Sequence, residues 1–154
     1  MAGAEDFFER VWDASKDRER IRRTIDSMRS REGVGGASLD SMPRGGFGNP
    51  MGKVDARIDF EVLTKSALEE AERTIGEARD LLFGVDGCSG LAKAFGSKYA
   101  EVLYLRYVDR LTIGGMSTLY GCAQNTVRDR VRVALDFIDS NGFEATRDGR
   151  NDVS

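Results

Sequence analysis

The stretch KYAEVLYLRYVDRLTIGGMSTLYGCAQNTVRDRVRVALDFID, residues 98–139, reads as three helices separated by short breaks. Val102, Leu103, Leu105, Tyr107 and Val108 supply the apolar body of a first helix that ends near Asp109 or Arg110. Leu111, Ile113, Met116 and Leu119 continue at helical spacing through a short second helix, for which Thr112 is the expected N-cap. Tyr120, Gly121 and Cys122 supply a turn, in which Gly121 can take the left-handed backbone that ends a helix. Val127, Val131, Ala134, Leu135 and Ile138 then form the inward stripe of a third helix.

With that stripe fixed inward, the helical wheel turns Gln124, Asn125, Arg128, Asp129 and Arg132 outward and leaves Thr126 and Arg130 on the flanks. Two helices joined by a tight glycine turn, the second presenting polar and basic residues, meet the requirements of a DNA-reading helix-turn-helix. Arginine pairs bidentately with guanine, and Asn or Gln with adenine, in the major groove. Thr126 and Arg130 suit phosphate contact better. The same residue types also fit a plain amphipathic helix whose solvent face carries arginines, and composition alone does not separate the two.

The run LRYVDRLTIGGMSTLYGCAQNTVRDRVRVAL, residues 105–135, resembles region 4 of bacterial sigma factors and related phage regulators. The wider layout joins an N-terminal helix, a linker containing SMPRGG and GKVDARID, a long helix and this module. It is similar to the phage late-gene transcriptional activators of the ArpU and RinA type. The resemblance implies double-stranded DNA as partner, bound by a helix starting near Ala123, with Thr126, Arg128 and Arg132 among the contacts. It also implies control of transcription from a phage or prophage genome, with RNA polymerase as a further partner. Two departures stand out: Ala123 replaces the usual Ser or Thr cap, and Gly114 and Gly115 replace good helix formers.

Outside this module, Phe7, Val11, Ala14, Ile21, Ile25 and Met28 predict a helix over about residues 4–31, within an N-terminal segment 1–32. Residues 33–52, GVGGASLDSMPRGGFGNPMG, hold seven of the eighteen glycines and both prolines and read as a linker. A glycine-rich phosphate cradle would need a GKS or GKT ending that is missing. Over 53–86 a long helix presents Phe60, Leu63, Ala67, Leu68, Ala71, Ile75, Ala78 and Leu82 on one face. Residues 16–31 carry a net charge of +4, 53–86 carry −4 and 123–135 carry +2, so an antiparallel hairpin of the first two helices is electrostatically favoured. The helix-turn-helix module is expected over 87–142, followed by a flexible tail over 143–154. The expected fold class is therefore all-α, and the apolar surface of the N-terminal half suits a homodimer.

Composition narrows the chemistry. The 154 residues have a net charge of −3 and contain no histidine, which removes Ser-His and Cys-His nucleophile pairs and the usual zinc ligand sets. Cys88 and Cys122 have no CxxC spacing and suggest a reducing, cytoplasmic setting without a disulfide. No enzyme activity, cofactor or metal is expected, nor a signal peptide or membrane span. Trp12 is expected to widen the buried face of the first helix, and Asp136 and Asp139 to be solvated. Competing readings are a DNA-packaging protein resembling the small terminase subunit and a helical protein-interaction module.

Overall fold

The computed structural model describes residues 3–38 and 50–153, and among them it is all-α, with no strand. The elements are α1 (Ala4–Ser38), α2 (Pro50–Phe83), α3 (Gly90–Ala94), α4 (Ser97–Leu103), a π-helical turn (Tyr104–Val108), α5 (Ile113–Tyr120), α6 (Gln124–Asn141) and α7 (Phe143–Arg147). They form two compact units, one from the described residues of 1–15 and 71–154, the other from 16–70. No helix among the described residues is long and apolar enough to cross a membrane.

The larger unit holds the main core. Phe8 and Val11 of α1 and Ile75, Leu81 and Leu82 of α2 are fully buried there with Leu91, Val102, Leu103, Met116, Val127 and Ile138. Phe95 stacks on Phe137 with ring centres 4.2 Å apart, a geometry that adds to the burial of both rings. This composition corrects the expected module boundary of 87–142. The apolar faces of the later helices are covered by the start of α1 and the end of α2, so the unit is discontinuous in sequence.

Helix α1 begins where its first amides find acceptors. The backbone N–H of Ala4 donates to Oδ1 of Asp139 at 2.7 Å, and Glu5 and Asp6 lie in the first turn, where negative charge suits the helix dipole. Asp139 is thus a cap delivered from the far end of α6, not only a solvated acid.

The expected flexible tail is also corrected. Residues 143–147 form α7, and Phe143 packs edge-on against Phe7 at 5.5 Å. The amide of Asn141 donates to Thr146 Oγ1 at 3.0 Å and to the Arg150 carbonyl at 2.8 Å, while its oxygen accepts from the Asp152 N–H at 2.7 Å. One nearly buried side chain therefore satisfies three partners and ties the segment down.

In the smaller unit α1 and α2 run antiparallel, as the paired registers Arg29–Glu61 at 3.3 Å and Glu32–Arg57 at 2.8 Å require. Arg57 also bonds Glu61 at 2.8 Å, and this hydrogen bond holds the Glu61 carboxyl below its ordinary value. The bridging carboxylate and guanidinium come from both helices, so the attraction is more mixed than a basic helix facing an acidic one.

The linker expected over 33–52 is shorter at both ends, since α1 continues to Ser38 and α2 starts at Pro50; residues 39–49 lie outside the described residues. Proline is accommodated at a first helical position because its missing N–H has no intrahelical partner there anyway. On α2 the buried stripe runs through Ala71, Ile75, Ala78 and Leu82, but Leu63 is 81% exposed and Ala67 is exposed. Leu63 lies off the line through half-buried Phe60, Thr64 and Leu68, which is the face turned inward.

Candidate nucleic-acid interface

The geometry of α5, its turn and α6 follows from local chemistry. Thr112 has extended backbone angles, and its Oγ1 accepts from the Gly115 N–H at 2.9 Å, so it caps α5 as expected. Gly114 and Gly115 therefore fall in the first turn, directly behind that cap. Gly121 closes α5 at φ 65° and ψ 34°, the left-handed region, and its N–H bonds the carbonyls of Ser117 and Thr118. Ser117 Oγ donates to the Cys122 carbonyl across the turn. Cys88 and Cys122 are free thiols.

Ala123 stands at the N-cap of α6 at φ −67° and ψ 150°, with no side-chain bond to the first amides. Ala123→Ser is expected to add about 0.5–1 kcal/mol, because a hydroxyl at these angles reaches an amide of the first turn. A denaturant titration checks this, and an unchanged midpoint would show that the hydroxyl stays in solvent.

Helix α6 is amphipathic. Val127, Ala134, Leu135 and Ile138 are buried and Val131 is half-buried, while Gln124, Asn125, Thr126, Arg128, Asp129 and Arg132 are exposed. The outward set is organised within itself: Arg128 donates to Asn125 Oδ1 at 3.1 Å, and Arg132 pairs with Asp129 at 3.0 Å. Arg130 differs, being half-buried with its guanidinium over the Tyr120 ring at 5.7 Å. Compared with protein-family models, curated proteins and solved structures, the chain matches none.

That surface continues into a cleft of about 480 Å³ between the π-helical turn, α6 and the start of α1. Arg106, Arg128 and Arg132 line it with Glu5, Asp136 and Asp139, so the arginines of α6 share a wall with one from a separate element. Burial raises the phenol of Tyr107, also in this wall, above its ordinary value. Sequence reasoning missed Arg106, whose position relative to α6 depends on how the π-helical turn packs. Among the described residues no group of three or more Cys, Asp or Glu side chains is placed to hold a metal ion.

Proposed function

We propose that this chain is a sequence-specific DNA-binding regulator of transcription that reads duplex DNA through the exposed face of α6. The observation that carries the reading is the row Gln124, Asn125, Arg128 and Arg132, exposed together on a helix anchored through Val127 and Ile138 behind a tight turn. These side chains offer the donors and acceptors that match base edges, and Arg128 and Arg132 are each held by a neighbour on the same helix, Asn125 and Asp129. The resemblance of residues 105–135 to sigma region 4 points the same way, and it makes a phage or prophage genome the expected setting.

One such helix reads only a few base pairs, so a useful site needs a second copy with its reading helix about 34–36 Å away. The smaller unit offers the surface for it. Ile58, Val62 and Leu63 are exposed within six residues of α2, beside a groove of about 420 Å³ also lined by Ile25 and Leu68. The other large exposed hydrophobics among the described residues, Val85, Leu119, Val133 and Val153, stand singly. A two-fold copy covering Ile58 and Val62 would bury this apolar surface and supply the second reading helix.

Arg128→Ala and Arg132→Ala should each weaken binding to a selected site by about 1–3 kcal/mol and relax the preference at one base position. Fluorescence anisotropy on a selected duplex checks this, with circular dichroism to show an unchanged helix content. Light scattering on the same protein should give a dimer. Wild-type affinity in both variants would remove α6 as the reader, and a closed ring of many subunits would favour the packaging role.

A further inference from the structure

The exposed face of α6 changes sign along its length. Gln124, Asn125, Arg128 and Arg132 occupy the first half, and Asp136 and Asp139 follow at spacings of four and three residues, which keep them on the same line of the helix. No basic residue stands in the last turn, so the negative end of the helix dipole adds to the carboxylates there. Glu5 lines the same cleft from the first turn of α1. The cleft therefore holds three guanidiniums and three carboxylates and is no general seat for anions. Its opposite charges are not paired across it: Arg128 bonds Asn125, Arg132 pairs with Asp129, and Arg106 donates to the Leu111 carbonyl at 3.0 Å. Asp139 is occupied by the Ala4 N–H at 2.7 Å. Asp136 and Glu5 are exposed and make no ion pair among the described residues.

A carboxylate brought against a phosphate backbone costs binding energy in every register where the two approach. We infer that Asp136, together with Glu5, is a specificity-determining residue that repels the phosphodiester backbone and admits the duplex only at the Gln124 to Arg132 end of α6. This rests on the DNA-binding reading above and deepens it, adding a residue that acts by repulsion to a row that acts by attraction. On a matched site the base contacts seat the first half of the helix, and Asp136 stands about 6 Å beyond Arg132 along the axis. On an unmatched duplex no base contact fixes that register, and the carboxylates meet phosphates in orientations that the arginines alone would allow. The repulsion therefore falls mainly on non-specific binding, which is the purely electrostatic part of affinity, and discrimination is the difference between the two.

The decisive variant is Asp136→Asn, which keeps the size of an exposed side chain and removes its charge. The full-length protein is titrated by anisotropy against two labelled duplexes of equal length, a selected site and a scrambled one, over a series of salt concentrations. Asp136→Asn should bind the scrambled duplex about fivefold more tightly and the selected one less than about twofold more tightly, with the gain shrinking as salt is raised. Adding Glu5→Gln should widen the gain on the scrambled duplex. Glu77→Gln makes an equal change of charge at an exposed position of α2 that does not line the cleft, and it should leave both affinities unchanged. Arg128→Ala is the contrasting control, losing affinity for the selected duplex far more than for the scrambled one. If Asp136→Asn tightens both duplexes equally, or neither, while Arg128→Ala behaves as described, the discriminating role is wrong and the DNA reading stands. If wild type binds neither duplex, both are wrong.

Discussion

A fragment beginning at Gly87 is expected not to unfold cooperatively. It would contain α3 to α7 but lack Phe8 and Val11 of α1 and Ile75, Leu81 and Leu82 of α2, all fully buried in the same core. Burying a side chain of this size contributes about 1.5–3 kcal/mol, so the five together contribute on the order of 10 kcal/mol, as much as the whole net stability of an ordinary domain. The fragment would also lose the rings of Phe8 and Phe83 that pack on Tyr107 and Tyr104, and the Ser15 hydroxyl that bonds the Val108 carbonyl. Thermal melts followed by circular dichroism should show a sigmoid for the full chain and a shallow drift for the fragment. A sharp transition in the fragment would mean that α1 and α2 only decorate a core the later helices complete themselves.

The second large effect is expected at Gly90. Its φ is +70°, and a Cβ built there would lie 2.5 Å from both the Leu82 carbonyl carbon and the Phe83 nitrogen. Those atoms belong to the backbone at the end of α2 and have no rotamer through which to retreat. Left-handed strain of about 1–2 kcal/mol and overpacking of about 1–3 kcal/mol therefore act together in Gly90→Ala, for a loss of about 3 kcal/mol or more. Gly76→Ala is the matched control: Gly76 lies inside α2 with nothing within 4 Å of the added Cβ, and the change should stabilise by about 0.5–1 kcal/mol. Denaturant midpoints on both variants measure the contrast. Equal midpoints would show that the approach of α3 to the end of α2 relaxes without cost.

Which parts of this architecture were legible in the sequence follows from the range of the interactions that fix them. Thr112, Gly121 and Ala123 take the expected cap and turn roles because a cap or a left-handed residue is decided by bonds three to five positions away. The stripe Val127, Ala134, Leu135 and Ile138 is legible for the same reason, as a single helix repeats its own phase.

Long-range pairings were not legible. Nothing near Asp139 in sequence shows that it caps Ala4, 135 positions away, and nothing near Asn141 announces that it holds the last segment. Leu63 was misplaced because alternate three and four spacings give two overlapping stripes on α2, and only the partner helix selects between them. The residues read as outward on α6, Gln124, Asn125, Arg128, Asp129 and Arg132, are exposed, and of the two read as flanking, Thr126 is exposed while Arg130 lies against Tyr120 through a contact between helices. Arg106 escaped notice because its place in the cleft beside α6 depends on a π-helical turn, which has no periodic signature of its own.

The discontinuous core also sets a timetable for synthesis. Phe8 and Val11 leave the ribosome first, yet Met116, Val127 and Ile138, which share their core, are added more than a hundred residues later. At about 5–20 residues per second, the apolar face of nascent α1 waits on the order of ten seconds for its partners. During that interval the chain can pair α1 only with α2, and the α6 surface cannot be presented on a finished core until translation has passed Asn141. A chain paused before that point is exposed to aggregation and proteolysis, and the core is complete only when the segment held by Asn141 has followed. Slow codons upstream of Gly121 would therefore lower the yield of folded protein.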